Sequence, residues 1–164
     1  MELQISPFRA ISDQGQKDIV NLIKIGNEAN AELILERLEN SLVTAWLQLE
    51  NRIVGTATIK RPEVAYRTYV FGQAALNFPP ETITLELGYI FIDSEFRKQG
   101  YTWQMCHALI NLISEQTVFA TTRTDNLGMK AILQKLHFIS EGNTYENRSK
   151  TKFLQLYVRK PFTA

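Results

Sequence analysis

Apolar and polar positions alternate along this chain in two periods, and the change of period marks its elements. Residues 3–11, "LQISPFRAI", read as a first strand. Ser12 and Asp13 then offer N-cap oxygens, and Ile19, Leu22 and Ile23 follow at helical spacing as far as Gly26. Residues 28–39 continue as a second helix with Leu35 and Leu38 on one side. "LVTAWLQLENRIVGTATI" (42–59) reads as two strands joined by the polar turn Glu50-Asn51-Arg52. The clearest strand is "ITLELGYIFI" (83–92). Strict alternation puts Ile83, Leu85, Leu87, Tyr89 and Phe91 on one face and Glu86, Gly88, Ile90 and Ile92 on the other.

A helix begins after 100, with Trp103, Cys106, His107, Ile110 and Ile113 at helical spacing and Met105, Leu109 and Leu112 on a second apolar side. "VFATT" (118–122) is a short buried strand. "DNLGMKAILQKLHF" (125–138) is a helix striped by Met129, Ile132, Leu133 and Leu136, with Asn126 as N-cap, and "KFLQLYVRK" (152–160) is a last strand. Residues 61–81 form a long connection ending in Pro79-Pro80 that could make a helix of its own. Its length, with Arg61, Tyr66, Arg67 and Tyr69 on it, favours a substrate lid over a solvated surface. The chain has no internal repeat or linker and reads as one α/β (α+β) domain over 1–164.

Composition narrows the function. The chain has 164 residues, 45% of them hydrophobic, enough for a real core. A net charge of +1 gives no global basic field, so nucleic acid is not an expected partner and any positive site must be local. The single cysteine, Cys106, forbids an internal disulfide and fits a reducing compartment. No apolar run is long enough to span a membrane and the start carries no secretory pattern, so a cytoplasmic location is expected. His107 and His137 stand far apart, without metal-ligand spacing, so no metal is expected.

The chemistry concentrates in "FRKQGYTW" (96–103), between the clearest strand and the helix after it. A helix N-terminus offers free N–H groups and partial positive charge, a glycine before it allows positive φ, and Arg97 and Lys98 add side-chain charge. That is a phosphate-binding arrangement, although a solvated basic turn has the same composition. Neither a Walker A loop nor a dinucleotide fingerprint occurs in the chain.

In these residues the sequence resembles the GNAT superfamily of acyl-CoA N-acyltransferases. Arg97-Lys98-Gln99-Gly100-Tyr101-Thr102 matches its [QR]-x-x-G-x-[GA] signature, with Thr102 in place of the usual small residue. "NLGMKAILQKLHF" (126–138) keeps the length, leading asparagine and terminal Phe138 of a later family helix. "ELGYIFI" and "ISEG" are similar to the branch that acetylates ribosomal-protein N-termini. The resemblance implies a mixed, mostly antiparallel sheet with splayed fourth and fifth strands, and about four helices. It implies acetyl-CoA as co-substrate, with backbone groups of Ile90 and Ile92 on the acetyl and pantetheine portions. N–H groups from Lys98 through Gln99, Gly100, Tyr101 and Thr102 to Trp103 would hold the pyrophosphate, beside Arg97. Asn126 would lie near the pantetheine or cap its helix, with Met129 close to the same path.

Transfer to an amine needs a base, and Glu86 is the candidate; the alternative is an ordinary polar residue on the outward side of its strand. The position of the family's usual acid tyrosine is Leu133, and the glycine before the last phenylalanine is His137. Tyr89, Tyr145 or Tyr157 could supply a proton instead, or the thiolate could leave unprotonated. The acceptor is a small amine or a protein N-terminus, and an exposed last strand could pair two chains into a homodimer. The competing reading is a non-catalytic acyl-CoA sensor or interaction module.

Overall fold

Seven strands and five α-helices alternate along the described residues, 1–26, 29–79 and 81–161, of the computed structural model. The strands are β1 (Glu2–Ser6), β2 (Val43–Leu49), β3 (Arg52–Lys60), β4 (Leu85–Ile92), β5 (Val118–Arg123), β6 (Ile139–Glu146) and β7 (Phe153–Arg159). The helices are α1 (Asp13–Ile25), α2 (Ala31–Glu39), α3 (Val64–Gln73), α4 (Tyr101–Leu112) and α5 (Leu127–Lys135). The strands form one mixed, mostly antiparallel sheet in which β4 and β5 run parallel. Five helices exceed the expected four because the long connection folds into α3.

The residues group into two compact units: 1–61 with 87–113, and 62–86 with 114–161 of the described chain. In the first unit the strand order is β1-β2-β3-β4. Ser12 caps α1 by accepting from the Gly15 N–H, and Asn30 caps α2 by accepting from the Leu33 N–H at 2.8 Å. The expected start of the second helix at 28 lies outside the described residues. Ile19, Ile23, Ile34 and Leu38 pack with Phe8 and Trp46 in one core, with Tyr89 and Phe91 against it. Helix α4 packs on β2 and β3 through Met105, Cys106, Leu109 and Ile110. Leu112, expected on its second apolar side, is exposed. The first strand ends at Ser6 rather than continuing to residue 11, since Pro7 cannot donate to the ladder and Phe8–Ala10 close into a 3-10 turn.

In the second unit the order is β4-β5-β7-β6. Parallel pairing of β4 with β5 runs over Leu85–Val118 and Glu86–Phe119, and β7 pairs antiparallel with β5 along six residues. The last strand is therefore interior, and β6 is the edge. Sequence reasoning missed β6: of its eight residues only Tyr145 is buried, so no apolar alternation announces it. Between Glu141 and Tyr145 the β6–β7 register shifts, Gly142 takes φ +70°, and the Asn143 N–H donates to the Ala74 carbonyl at 2.8 Å. Helix α3 buries Arg67, Val70 and Phe71. Phe71 meets Phe119 edge-on at 5.2 Å, in a core with Ala74, Ile83, Tyr145 and Leu156. The long connection is thus core structure of this unit, in place of the expected lid.

Candidate active site

The basic loop belongs to the first unit, and its approach is ordered by side chains. Asp93 follows β4, donates its N–H to the Val54 carbonyl at 2.8 Å and accepts the Glu95 N–H at 3.2 Å. Arg52 forms an ion pair with the same carboxylate. A 3-10 turn, Ser94–Phe96, leads to Arg97, whose Nε donates to the Ile92 carbonyl at 3.1 Å while its guanidinium lies over the Phe91 ring. Lys98 has φ +61° and Gly100 φ +85°, both left-handed. Left-handed residues in a turn are one way in which a chain gathers successive peptide N–H groups into an anion-binding nest. Gly100 is the N-cap of α4, with no side-chain cap, and a Cβ there would stand in open space. Conformation rather than crowding selects glycine. The helix then starts at Tyr101, and its first-turn N–H groups, at Tyr101, Thr102 and Trp103, have no intrahelical acceptor. Arg97, Lys98, Gln99 and Gly100 are exposed, and Trp103 is stacked on His107 at 4.5 Å.

Ile90 and Ile92 also lie in the first unit, on β4. The strict alternation read from the sequence is interrupted between them and Glu86, because Tyr89 has φ +49°. A left-handed residue inside a strand rotates the following peptides out of the pleat. Period two therefore does not carry a face assignment from Glu86 through to Ile90. The Tyr89 hydroxyl is buried without a hydrogen-bond partner among the described residues, and Lys60 lies over its ring at 4.7 Å.

Glu86, Asn126, Met129 and Leu133 belong to the second unit. Glu86 is 3% exposed, so it is not the outward polar residue of the alternative reading. The Tyr66 hydroxyl, from α3, donates to Glu86 Oε1 at 3.2 Å. Burial, then the negative charge of Glu86, hold the Tyr66 phenol well above the usual tyrosine value. Tyr145 on β6 is raised for the same two reasons in the same order. Sequence reasoning left Tyr66 among possible lid residues; its twenty-residue separation from Glu86 leaves no local signal of their contact.

Asn126 caps α5, its Oδ1 accepting from the Met129 N–H at 3.1 Å. Leu133 is fully buried, so no hydroxyl stands where the family's usual acid would. Asp125 is exposed and paired with Arg123 at 3.3 Å. Cys106 is sealed in the first unit, where burial pushes its thiol up to about 12, which removes it as a nucleophile. Among the described residues no cluster of His, Cys, Asp and Glu could hold a metal ion, and no helix is long and apolar enough to cross a membrane.

The acetyltransferase (GNAT) domain family matches residues 16–139, three quarters of the chain. The protein belongs to the GNAT acetyltransferases. It is an acyltransferase, with acetyl-CoA as the acyl donor of that family. No curated protein matches it. Among solved structures it is similar to the ribosomal-protein-S18-alanine N-acetyltransferase of Escherichia coli, with a TM-score of 0.69 at 12% identity over 99% of this chain and 96% of that one. An aminoglycoside 6'-N-acetyltransferase complexed with coenzyme A gives 0.67 at 12% identity, covering 98% of each chain. A GNAT family acetyltransferase from Bacillus cereus gives 0.64 at 18% identity, over 99% of this chain and all of the other. At these identities the likeness is one of fold.

Proposed function

We propose that this acetyltransferase moves the acetyl group of acetyl-CoA to a primary amine, either a small molecule or a protein N-terminus, by direct attack within a ternary complex. The observation that carries the donor site is the nest at Lys98 and Gly100 opening onto the first turn of α4. Its N–H groups suit a pyrophosphate, with Lys98 supplying charge. The Arg97 Nε is already committed to the Ile92 carbonyl, so Arg97 contributes first by shaping the loop.

An ammonium group at neutral pH has no lone pair, so the acceptor must first lose a proton. Lysine-type amines ionise near ~10.4 and α-amino groups near ~8, which makes a base more valuable for the former. Glu86 fills that role in our reading. Backbone N–H groups of β4 at Ile90 or Ile92 would polarise the thioester carbonyl and hold the oxyanion. The tetrahedral intermediate expels a thiolate whose conjugate acid ionises near ~8.5, so departure without an acid at Leu133 is chemically reasonable. Neither an enzyme-bound acyl group nor a metal enters the scheme. Asn126 and Met129 are placed beside the pantetheine by resemblance alone.

Thermal denaturation with acetyl-CoA, CoA and ATP tests the donor site. A ligand at 100 times its dissociation constant adds about 2.7 kcal/mol, which raises the midpoint by several degrees in a domain of this size. A shift with acetyl-CoA and CoA and none with ATP is the expected result. No shift with millimolar acetyl-CoA would reduce Arg97–Thr102 to a basic turn.

A further inference from the structure

The first unit contains a cavity lined by none of the residues assigned to acetyl transfer. It lies between the start of α1 and strands β1 and β2, with a volume of about 540 Å³, a size that suits a small molecule. Gln4 and Trp46 are register partners on β1 and β2, so their side chains stand together on one face of the sheet. Helix α1 adds Gln14 and Asp18, and the turn between β2 and β3 adds Asn51. We propose that this cavity binds a small organic ammonium ion that also carries hydroxyl groups. The proposal does not depend on how the acetyl group is moved.

Charge decides the first half of that class. Asp18 is the only charged side chain lining the cavity, so an anion would meet like charge and a cation its complement. Asp18 is half-buried, and its Oδ1 accepts from Gln14 Nε2 at 2.9 Å, one helical turn earlier. That bond holds the carboxylate in place. Its Oδ2 has no partner among the described residues and can accept from an ammonium N–H. Arg52 borders an adjoining hollow that shares Asp18 and Asn51, but its guanidinium is committed to Asp93 and Glu95. The hydroxyls follow from Trp46. This residue is 6% exposed, and its indole N–H meets no acceptor among the described residues. An indole N–H only donates, so it suits a ligand oxygen rather than the ammonium itself. The Gln4 amide beside it has no side-chain hydrogen bond among the described residues and offers both a donor and an acceptor. A neutral polyol would leave Asp18 unanswered, and a bare ammonium would leave Trp46 so. A molecule with both groups answers both.

Triethanolamine is the probe. It is a tertiary amine, cationic at neutral pH, that carries hydroxyls and cannot become an amide, so it is no substrate for acetylation at nitrogen. The Trp46 indole N–H signal in NMR spectra of the isotope-labelled full chain reads its arrival. The chain has two tryptophans, and Trp103→Phe identifies which signal belongs to Trp46. That signal should move saturably with triethanolamine in the millimolar range, the affinity expected of so small a ligand, and equally with saturating CoA present. Asp18→Asn keeps an oxygen that can accept from Gln14 and removes the charge, so the apparent dissociation constant should rise about tenfold. Gln4→Ala should also weaken binding while leaving the charge in place. Glycerol, which supplies hydroxyls without charge, should move the signal far less. An unmoved signal, an equal response to glycerol, or undiminished affinity in either variant overturns the site. So does a response abolished by CoA, which would place the probe in the acetyl-transfer site instead.

Discussion

The backbone N–H of Asn143 reaches past its own sheet to the carbonyl of Ala74, at the C-terminal end of α3. The preceding residue makes this approach possible. A Cβ on Gly142 would overlap the Ala74 carbonyl oxygen and stand 3.0 Å from the Leu76 side chain, and its φ of +70° is itself unfavourable for any L side chain. Gly142→Ala should therefore cost about 2 to 4 kcal/mol, as strain and overpacking combined. Chemical denaturation measures this, and a loss below about 0.5 kcal/mol would show that β6 swings away freely.

Gly100 makes the opposite case. Nothing stands near the place a Cβ would take, so Gly100→Ala pays only for its φ of +85°, about 1 to 2 kcal/mol. The larger effect should fall on the ligand. If the loop relaxes toward negative φ, its N–H groups no longer converge, and CoA affinity measured by calorimetry should drop at least about tenfold, or 1.4 kcal/mol. Unchanged affinity would remove the nest from the binding account.

Glu86→Gln keeps the side-chain shape and an oxygen that can accept from the Tyr66 hydroxyl while removing basicity. Turnover on an accepted amine should fall by roughly 10²–10⁴, with little change in the KM for acetyl-CoA. The fall should shrink as the pH approaches the amine's own ionisation, because the neutral amine is then present without help. An undiminished rate would exclude Glu86 from proton transfer.

Thr44 and Thr58 face each other across β2 and β3 with hydroxyls 3.2 Å apart, both fully buried. Either single change to valine leaves a buried hydroxyl without that partner, at about 1 to 3 kcal/mol. The double change removes both polar groups and should cost less than the two singles together. A double-mutant cycle that adds up instead would mean that the pair contributes no coupling.

The alkaline limb of stability has a definite sign. Cys106 ionises near 9.0 when unfolded but near 12 when folded, and Tyr66 and Tyr145 are raised above 10.0. Above each ordinary value the native state holds a proton that the unfolded chain has lost. Stability from each group is thus complete below that value and declines as the pH rises, by up to about 1.4 kcal/mol per unit. Denaturant midpoints should start to fall near pH 9 in the wild type. In Cys106→Ala the fall should begin only near pH 10, where the tyrosines take over.

How much of this was legible in the sequence depends on distance along the chain. The caps at Ser12 and Asn126, the strand at Leu85–Ile92 and the turn at Gly100 rest on local chemistry, and each could be read directly. Pro7 could also have been read, as the stop it makes after Ser6. Strand β6 could not, because an edge strand anchored by one buried tyrosine carries no period. The bond from Tyr66 to Glu86 is a product of tertiary packing between α3 and β4 in the second unit. The left-handed turn at Tyr89, a residue that ordinarily favours strands, has no marker either.

The seclusion of Cys106 has a practical side. It is the only cysteine in the chain and is fully buried, so the folded protein presents no reactive thiol of its own. Every acetyl transfer liberates one thiol from the donor. A chromogenic disulfide added to the reaction would therefore count turnovers without background from the catalyst, even at high protein concentration. By the same token, a cysteine introduced on the surface would be the sole point of attachment for a dye or a spin label, with no native residue to be replaced first.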